Sequence, residues 1–142
     1  MQKQKCDKHI YRIIDANINR SKEGLRVSEE ICRFILNSAP LTAELKKIRH
    51  GVETALKGLP RRAKLIEARQ SNSDVGKNIL GNELKRKNHS DILCANLQRA
   101  KESIRVLEEF SKLLNPKCAV GFKKIRYRIY AAEKKITGRL YR

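Results

Sequence analysis

Two stretches of this sequence carry asparagine, arginine and glutamate side chains at helical spacing. The first stretch holds Asn17, Arg20, Glu23 and Arg26, and the second holds Asn96, Arg99, Glu102 and Arg105. Residues three or four apart lie on one side of a helix, so Asn17, Arg20 and Glu23 share one side. Glu23, Arg26 and Glu30 likewise stack at spacings of three and four residues. They form either an exposed ladder of ion pairs, each worth roughly a few tenths of a kcal/mol, or an internal polar network that binds a ligand or clamps helices.

The two stretches are copies of one unit. A shift of 79 residues places residues 15–30 on residues 94–109, and nine of the sixteen positions are identical. Periodic self-similarity of this kind marks a repeated structural unit. A helix kept only for packing should retain its apolar pattern and lose its surface charges, yet many of the shared residues are polar. Because the motif recurs, an internal polar network is as well supported as an exposed ladder of ion pairs.

A second, shorter match follows each stretch. A shift of 77 residues places LKKIRH at 45–50 on FKKIRY at 122–127, which pairs Arg49 with Arg126 and His50 with Tyr127. Each copy therefore consists of a motif helix, a break that contains proline, and a second helix with the KKIR sequence. A lone histidine on a helix is more often structural than catalytic, and no Ser/His/Asp arrangement accompanies His50.

The spacing of apolar residues predicts only helices. These helices cover about 9–37, 41–57, 61–70, 90–114 and 117–137, and Ser90 is the expected N-cap of the fourth. We therefore predict an all-α fold in which duplicated helical hairpins form a four-helix bundle. In this single domain, 1–142, repeat one spans about 9–58 and repeat two about 90–138. An insertion of about 59–89, with a short extra helix and a loop, separates them.

The loop of the insertion contains the sequence Asp74-Val75-Gly76, which is typical of a turn. The functional alternative is a loop whose backbone approaches a phosphate while Asp74 faces a metal ion. The glycine spacing from Gly76 to Gly81 is that of a P-loop, but Asn82-Glu83 stand where Lys-Ser/Thr is required. A P-loop is therefore rejected.

Charge is the strongest feature of the composition, at +18 over 142 residues. Such a charge attracts nucleic acid, an anionic membrane surface or small phosphorylated substrates, or it simply solvates the surface. The apolar runs are too short to span a membrane, and the N-terminus lacks the apolar region of a secretory signal. The four cysteines are far apart in the chain, without the spacing of a zinc site, which favours reduced thiols in a cytoplasmic protein.

Five ordered motifs carry a family resemblance. They are RIIDANINRSKEGLRVSEEICRF at 12–34, LKKIRH at 45–50, ARQSNSDVG at 68–76, ANLQRAKESIRVLEEFSK at 95–112 and FKKIRYRIYAAEK at 122–134. Together they resemble the helical domain that is often fused ahead of bacterial thiamine-phosphate synthase, a noncanonical hydroxymethylpyrimidine-phosphate kinase. Gln70 departs from the family pattern, which has an acidic residue there. The synthase barrel is absent from this sequence, so the resemblance implies a stand-alone kinase or an excised or separately encoded domain.

The resemblance implies an ATP- and Mg²⁺-dependent phosphotransferase that converts the pyrimidine phosphate to its diphosphate. On that basis the arginines expected to contact phosphate are Arg20, Arg26, Arg99 and Arg105, with Glu23 and Glu102 as carboxylates that orient them or bind Mg²⁺. Substrate contacts are expected from Asn17, Asn96, Arg49, Arg126, His50, Arg69 and Gly76, and a metal contact from Asp74. Arginine-rich sites suit the transfer of a phosphoryl group between two polyanions.

Two rival functions belong to other classes. One is a noncatalytic docking domain of thiamine-phosphate synthase, which would then be a protein partner. The other is a basic helical module that binds nucleic acid, which only the charge favours. We expect no membrane partner, and a homo-oligomer is compatible with a bundle whose faces share polar motifs.

Overall fold

The computed structural model describes residues 2–78 and 81–141, without the side chains of residues 2–6 and 82. Within these residues, α1 spans Gln2–Glu30 and continues as a π-helical turn, Ile31–Ile35. The other helices are α2 (Ala39–Ala55), α3 (Arg62–Glu67), α4 (His89–Ser111) and α5 (Pro116–Leu140). The described residues form no strand beyond one isolated bridge, so the all-α prediction is confirmed. The Cys6 side chain and the loop residues Ile79 and Leu80 lie outside the description.

Polar caps and prolines fix where the helices begin. The Ser38 side chain accepts a hydrogen bond from the backbone of Leu41, and the Asn115 side chain accepts one from Lys117. Proline follows each cap within two residues, where its missing N–H costs nothing. The expected N-cap of α4 was wrong: Asn88 caps this helix by accepting from the backbone of Asp91, and Ser90 lies in its first turn. Asparagine and serine are about equally good caps, so residue type alone could not locate the boundary.

The four long helices pack as a bundle of two hairpins. Helix α1 packs against α2 and α4, and α5 closes the bundle by packing against both α2 and α4. Fully buried apolar side chains from all four helices fill the centre, among them Ile14, Leu25, Leu45, Ile48, Leu97, Ile104, Phe122 and Ile129. Helix α3 rests on the outside of α1. None of the helices in the described part of the chain is long and apolar enough to cross a membrane.

The two motif helices, α1 and α4, make the most extensive contact in the bundle. They approach so closely at Gly24 that a Cβ atom there would lie 2.6 Å from the carbonyl oxygen of Asn96. Ala100, one turn further along α4, is also in this contact. Only glycine allows such a close approach of two backbones. The crossing therefore brings the two copies of the motif together at one place.

Candidate functional site

Two buried glutamates of the motif clamp the hairpins. Nε of Arg49 donates to the Glu29 carboxylate at 3.0 Å, and Nε of Arg126 donates to Glu108 at 3.2 Å. The glutamate side chains are only 6% and 7% exposed. Each pair joins a motif helix to the KKIR helix of the same copy. The structure therefore uses the KKIR arginines, which the resemblance suggested as substrate contacts, as clamps of α1 on α2 and of α4 on α5.

A second set of ion pairs lies on the surface of the motif helices. Arg26 pairs with Glu30 at 3.2 Å, and Arg105 pairs with Glu109 at 3.0 Å. Both arginine side chains are about half exposed, and each also approaches the buried glutamate of its clamp. The motif therefore forms both kinds of contact: exposed ion pairs along the helix and buried ion pairs between helices. Glu23 takes no part in it, since it forms no ion pair among the residues that the structure describes.

Of the six arginines that are identical in the two copies, Arg20 and Arg99 differ from the other four. Both are exposed, and neither has an ion pair or side-chain hydrogen bond in the described part of the chain. Arg20 lies one turn before Gly24, and Arg99 is adjacent to Ala100, so both flank the crossing of the motif helices. Glu102, in the same region of α4, accepts a hydrogen bond from Gln98. The crossing is thus bordered by two cations without acidic partners.

Asn17 and Asn96 are used within their own helices. The side-chain amide of Asn17 donates to the carbonyl of Ile13, and that of Asn96 donates to Ile92, both at 2.8 Å. The equivalence of the two bonds shows that the copies share local geometry as well as sequence. Asn17 is almost completely buried. One amide donor of each residue is therefore already committed.

The insertion folds onto the first motif helix and forms a pocket there. Nε and Nη2 of Arg69 donate to the two oxygens of Asp15 at 2.7 and 2.9 Å. The hydrogen bond that Arg69 donates to Asp15 raises the pKa of the guanidinium group above its ordinary value. Asp74, Ser71 and Asn19 also line the pocket. This arrangement brings Arg69 and Asp74, both expected from the third motif, to the same place.

Asp74 and Gly76 form the turn expected from the sequence. The Asp74 carboxylate accepts a hydrogen bond from the backbone N–H of Gly76 at 2.9 Å. Gly76 is exposed, and a Cβ there would meet only ordinary contacts. The turn holds Asp74 at the edge of the insertion pocket, where one carboxylate oxygen is occupied by the backbone.

His50 lies apart from the insertion pocket, in a cleft between α2 and α5. Lys47, Lys117 and Arg128 also border this cleft, and Gly51 and Gly121 form part of its floor. Arg128 contacts Glu44 at 3.4 Å. The structure therefore does not bring His50 together with Arg69 and Asp74. Its counterpart Tyr127 stacks edge-on against Tyr130, with ring centroids 5.8 Å apart.

Sequence reasoning did not select Asp15, Glu29 and Glu108, which the structure pairs with the expected residues Arg69, Arg49 and Arg126. The two glutamates are identical in both copies and could have been found by asking which shared polar residues face the partner helix. Asp15 could not be found in this way, because its counterpart in the second copy is Cys94. No group of three or more His, Cys, Asp and Glu side chains that could hold a metal occurs within residues 2–78 and 81–141.

Comparison with known proteins gives consistent matches. The model of the ThiD2 family matches residues 12–135. Thiamine-phosphate synthase of Nostoc punctiforme is 41% identical over 138 residues, which is 96% of this chain and 38% of that protein. The enzymes of Synechocystis sp. and Rhodopirellula baltica are 40% and 39% identical, over 91% and 86% of this chain and 36% and 32% of their own lengths. The chain thus spans less than two fifths of these relatives. No solved structure gives a significant match.

Proposed function

The chain belongs to the ThiD2 family, and from this premise we propose that it is a kinase of thiamine biosynthesis. The reaction transfers the γ-phosphoryl group of ATP to hydroxymethylpyrimidine phosphate and yields the diphosphate and ADP. The observation that carries the proposal is the pair Arg20 and Arg99. These matched arginines have no acidic partners among the described residues, whereas the other four arginines that are identical in both copies are bound to glutamates.

The chemistry of this reaction suits such a site. A phosphate oxygen of the acceptor attacks the γ-phosphorus of ATP, and the bond from that phosphorus to the bridging oxygen of ADP breaks. The attacking oxygen is already anionic near neutral pH, so a general base contributes little. The main barrier is the approach of two polyanions, and positioned arginines lower it by stabilising charge on the transferred group. Arg20 and Arg99 supply these charges, and Arg26 and Arg105, which their glutamates hold, are second candidates.

The side chains present also suit Mg²⁺ bound as a complex with ATP. In kinases this ion is usually bound by one or two carboxylates together with substrate phosphates, rather than by a cage of protein ligands. Asp74, Glu23 and Glu102 are separate carboxylates of this kind, and the described residues contain no denser acidic cluster. We propose Asp74 as the first carboxylate to bind the ion, which would neutralise phosphate charge during transfer. Asn17, Asn96 and His50 remain weaker candidates for substrate contacts.

The test is ADP release by the purified chain with ATP, Mg²⁺ and hydroxymethylpyrimidine phosphate. We expect ADP and the pyrimidine diphosphate to form in equal amounts, with the product identified by phosphorus NMR. Omission of the pyrimidine phosphate controls for ATP hydrolysis. Absence of both products from a folded, monodisperse sample would refute the kinase proposal.

One observation favours a second function. The relatives are thiamine-phosphate synthases of which this chain matches less than two fifths, so the matching part can also serve as a noncatalytic docking domain. That function predicts no ADP release, together with measurable association with a thiamine-phosphate synthase barrel. Binding to nucleic acid would instead appear as salt-sensitive retardation on a gel.

A further inference from the structure

The ion pair between Arg69 and Asp15 joins the insertion to the first motif helix. Arg69 lies just after α3, and Asp15 lies in the middle of α1. Two parallel hydrogen bonds of 2.7 and 2.9 Å connect their side chains. Asp15 is only 4% exposed, whereas the Arg69 side chain is 41% exposed. A buried carboxylate therefore holds a guanidinium group whose other edge is accessible.

The free edge of Arg69 can bind an anion without breaking this pair. A guanidinium group has five N–H donors in a fixed plane, and the two bonds to Asp15 use two of them. The remaining donors can form a second fork, which matches two oxygens of a phosphate. Because Asp15 already fixes the plane of the group, little side-chain entropy is lost when the phosphate binds.

The pocket around this edge is small and polar. Its volume is about 180 Å³, and its lining includes Arg12, Asn19, Ser71 and the carboxylate of Asp74 in addition to Arg69. Pockets that enclose whole drug-sized ligands are usually about 300–1,000 Å³, so this pocket is too small for a nucleoside triphosphate. It suits a phosphate group on a small organic molecule. Arg12, which has no ion pair in the part of the chain that is described, supplies a second cation.

The second copy of the repeat lacks the residues that form this pocket in the first copy. The counterparts of Arg12, Asp15 and Asn19 are Asp91, Cys94 and Gln98. Asp91 accepts a hydrogen bond from the backbone of Lys87, and Gln98 donates to Glu102. The buried carboxylate that fixes Arg69 thus has a thiol, that of Cys94, as its counterpart. Among the described residues, the Arg69–Asp15 pair therefore forms a pocket of this kind on the first copy.

We propose that Asp15 is a positioning residue that presents Arg69 to the phosphate of a small phosphate monoester, in one pocket per chain. The assignment rests on the proposed function, in which this ligand is the phosphoryl acceptor. Ala16 and Asn19 line the pocket, and Arg20 follows them in α1. The acceptor phosphate is thus held within one helical turn of the arginine assigned to the transferred group.

The test uses calorimetric titration of the chain with hydroxymethylpyrimidine phosphate in the absence of ATP. We expect one site per chain in the wild type. Arg69→Lys, which keeps the charge but removes the fork, should weaken binding at least tenfold, and Asp15→Asn should weaken it by a similar factor. Arg61→Lys is the matched control: this exposed arginine is in the same insertion, receives the same change and lines a different pocket. Its affinity should equal that of the wild type.

A double-variant cycle separates positioning from a general structural role. If Asp15 acts through Arg69, the double variant Asp15→Asn/Arg69→Lys should bind no more weakly than Arg69→Lys alone. In the kinase assay, both single variants should raise the KM for the pyrimidine phosphate while the KM for ATP stays constant. If Asp15→Asn does not fold, Arg69→Lys alone tests the pocket, because its change is made on an exposed side chain.

Several results would overturn the assignment. These are a stoichiometry of two, unchanged affinity in Arg69→Lys, or losses in the two single variants that simply add. If the wild type is inactive but still binds the pyrimidine phosphate through Arg69, the proposed kinase activity is refuted and the proposed binding pocket stands. If the wild type is active but Arg69→Lys leaves the KM for the pyrimidine phosphate unchanged, the proposed binding pocket is refuted and the proposed kinase activity stands.

Discussion

Nε of Arg49 donates a hydrogen bond of 3.0 Å to the buried carboxylate of Glu29, and this contact clamps α2 onto the first motif helix. The second copy repeats the relationship with Arg126 and Glu108. Both partners of each pair are largely shielded from water, so each charge depends on the other for compensation. The repeated polar residues therefore include supports of the scaffold as well as candidates for the site.

The first prediction concerns this clamp. Glu29→Ala should lower the free energy of unfolding by about 3 kcal/mol, because it leaves the charge of Arg49 buried without a partner. Glu30→Ala is the matched control: the neighbouring glutamate pairs with Arg26 on the surface, and its loss should cost less than about 1 kcal/mol. Urea denaturation followed by circular dichroism measures both values. Equal losses in the two variants would show that the clamp contributes no more than a surface pair.

The second prediction concerns the crossing of the motif helices. Gly24→Ala places a methyl group 2.6 Å from the backbone oxygen of Asn96, so the helices must separate at a cost of about 1–3 kcal/mol. Gly138→Ala, in a helix with nothing within 4 Å of the new atom, should instead stabilise by up to about 1 kcal/mol. Thermal unfolding of the two variants should therefore shift in opposite directions. A Gly24→Ala protein as stable as the wild type would contradict the close approach.

The third prediction concerns thiol reactivity and pH. Burial raises the pKa of the Cys32 thiol to about 11, whereas Cys94 is exposed. At pH 8 a thiol reagent should modify Cys94 quickly and Cys32 only after unfolding, as peptide mass mapping can show. An unfolded cysteine ionises near pH 8.5, at about its usual pKa. Since the folded state keeps its proton longer, Cys32 should reduce stability as the pH rises from about 8.5 to about 11.

A variant without the thiol isolates this effect. Cys32→Ala should be less stable at neutral pH because it leaves a cavity, but its stability should fall less steeply above pH 8.5. Parallel slopes for the variant and the wild type would remove Cys32 as the source of the pH dependence.

The fourth prediction concerns the two arginines without acidic partners. Arg20→Ala and Arg99→Ala should each reduce kcat at least a hundredfold, which corresponds to about 2.7 kcal/mol of lost transition-state stabilisation. Neither should change the thermal midpoint by more than about 2 °C, because neither side chain has an ion-pair partner among the described residues. Lys124→Ala, an exposed cation on α5, controls for net charge and should keep full activity. Full activity in both arginine variants would refute their assigned role.

The sequence alone was sufficient for the architecture. Apolar spacing and proline breaks located all four long helices to within a few residues at most ends, and the repeat predicted two hairpins in one bundle. Helix α1 begins further towards the N-terminus than expected, and α5 ends later, since the charged residues that flank the apolar pattern are also good helix formers. These signals are local, so they could be recognised without knowledge of the packing.

The roles of the repeated charges could not be read in the same way. Arg20, Arg26 and Arg49 look equivalent in sequence, and only the packing of α1 with α2 and α4 separates a clamp, a surface pair and a cation without a partner. The pair of Asp15 with Arg69 joins residues 54 positions apart, and no periodicity predicts it.

The sequence by itself thus determined the helices, their duplication and the residue types available for phosphate chemistry, because these depend on spacing along one helix. Which arginines pair with glutamates, where the insertion docks and that the pocket with the Arg69–Asp15 pair lies on the first copy became known only from the tertiary structure. Those properties depend on which side chains of different helices contact each other and on how completely water is excluded from the interfaces between the helices. The same Asn/Arg/Glu motif can therefore support the bundle at Glu29 and Glu108 while leaving Arg20 and Arg99 exposed.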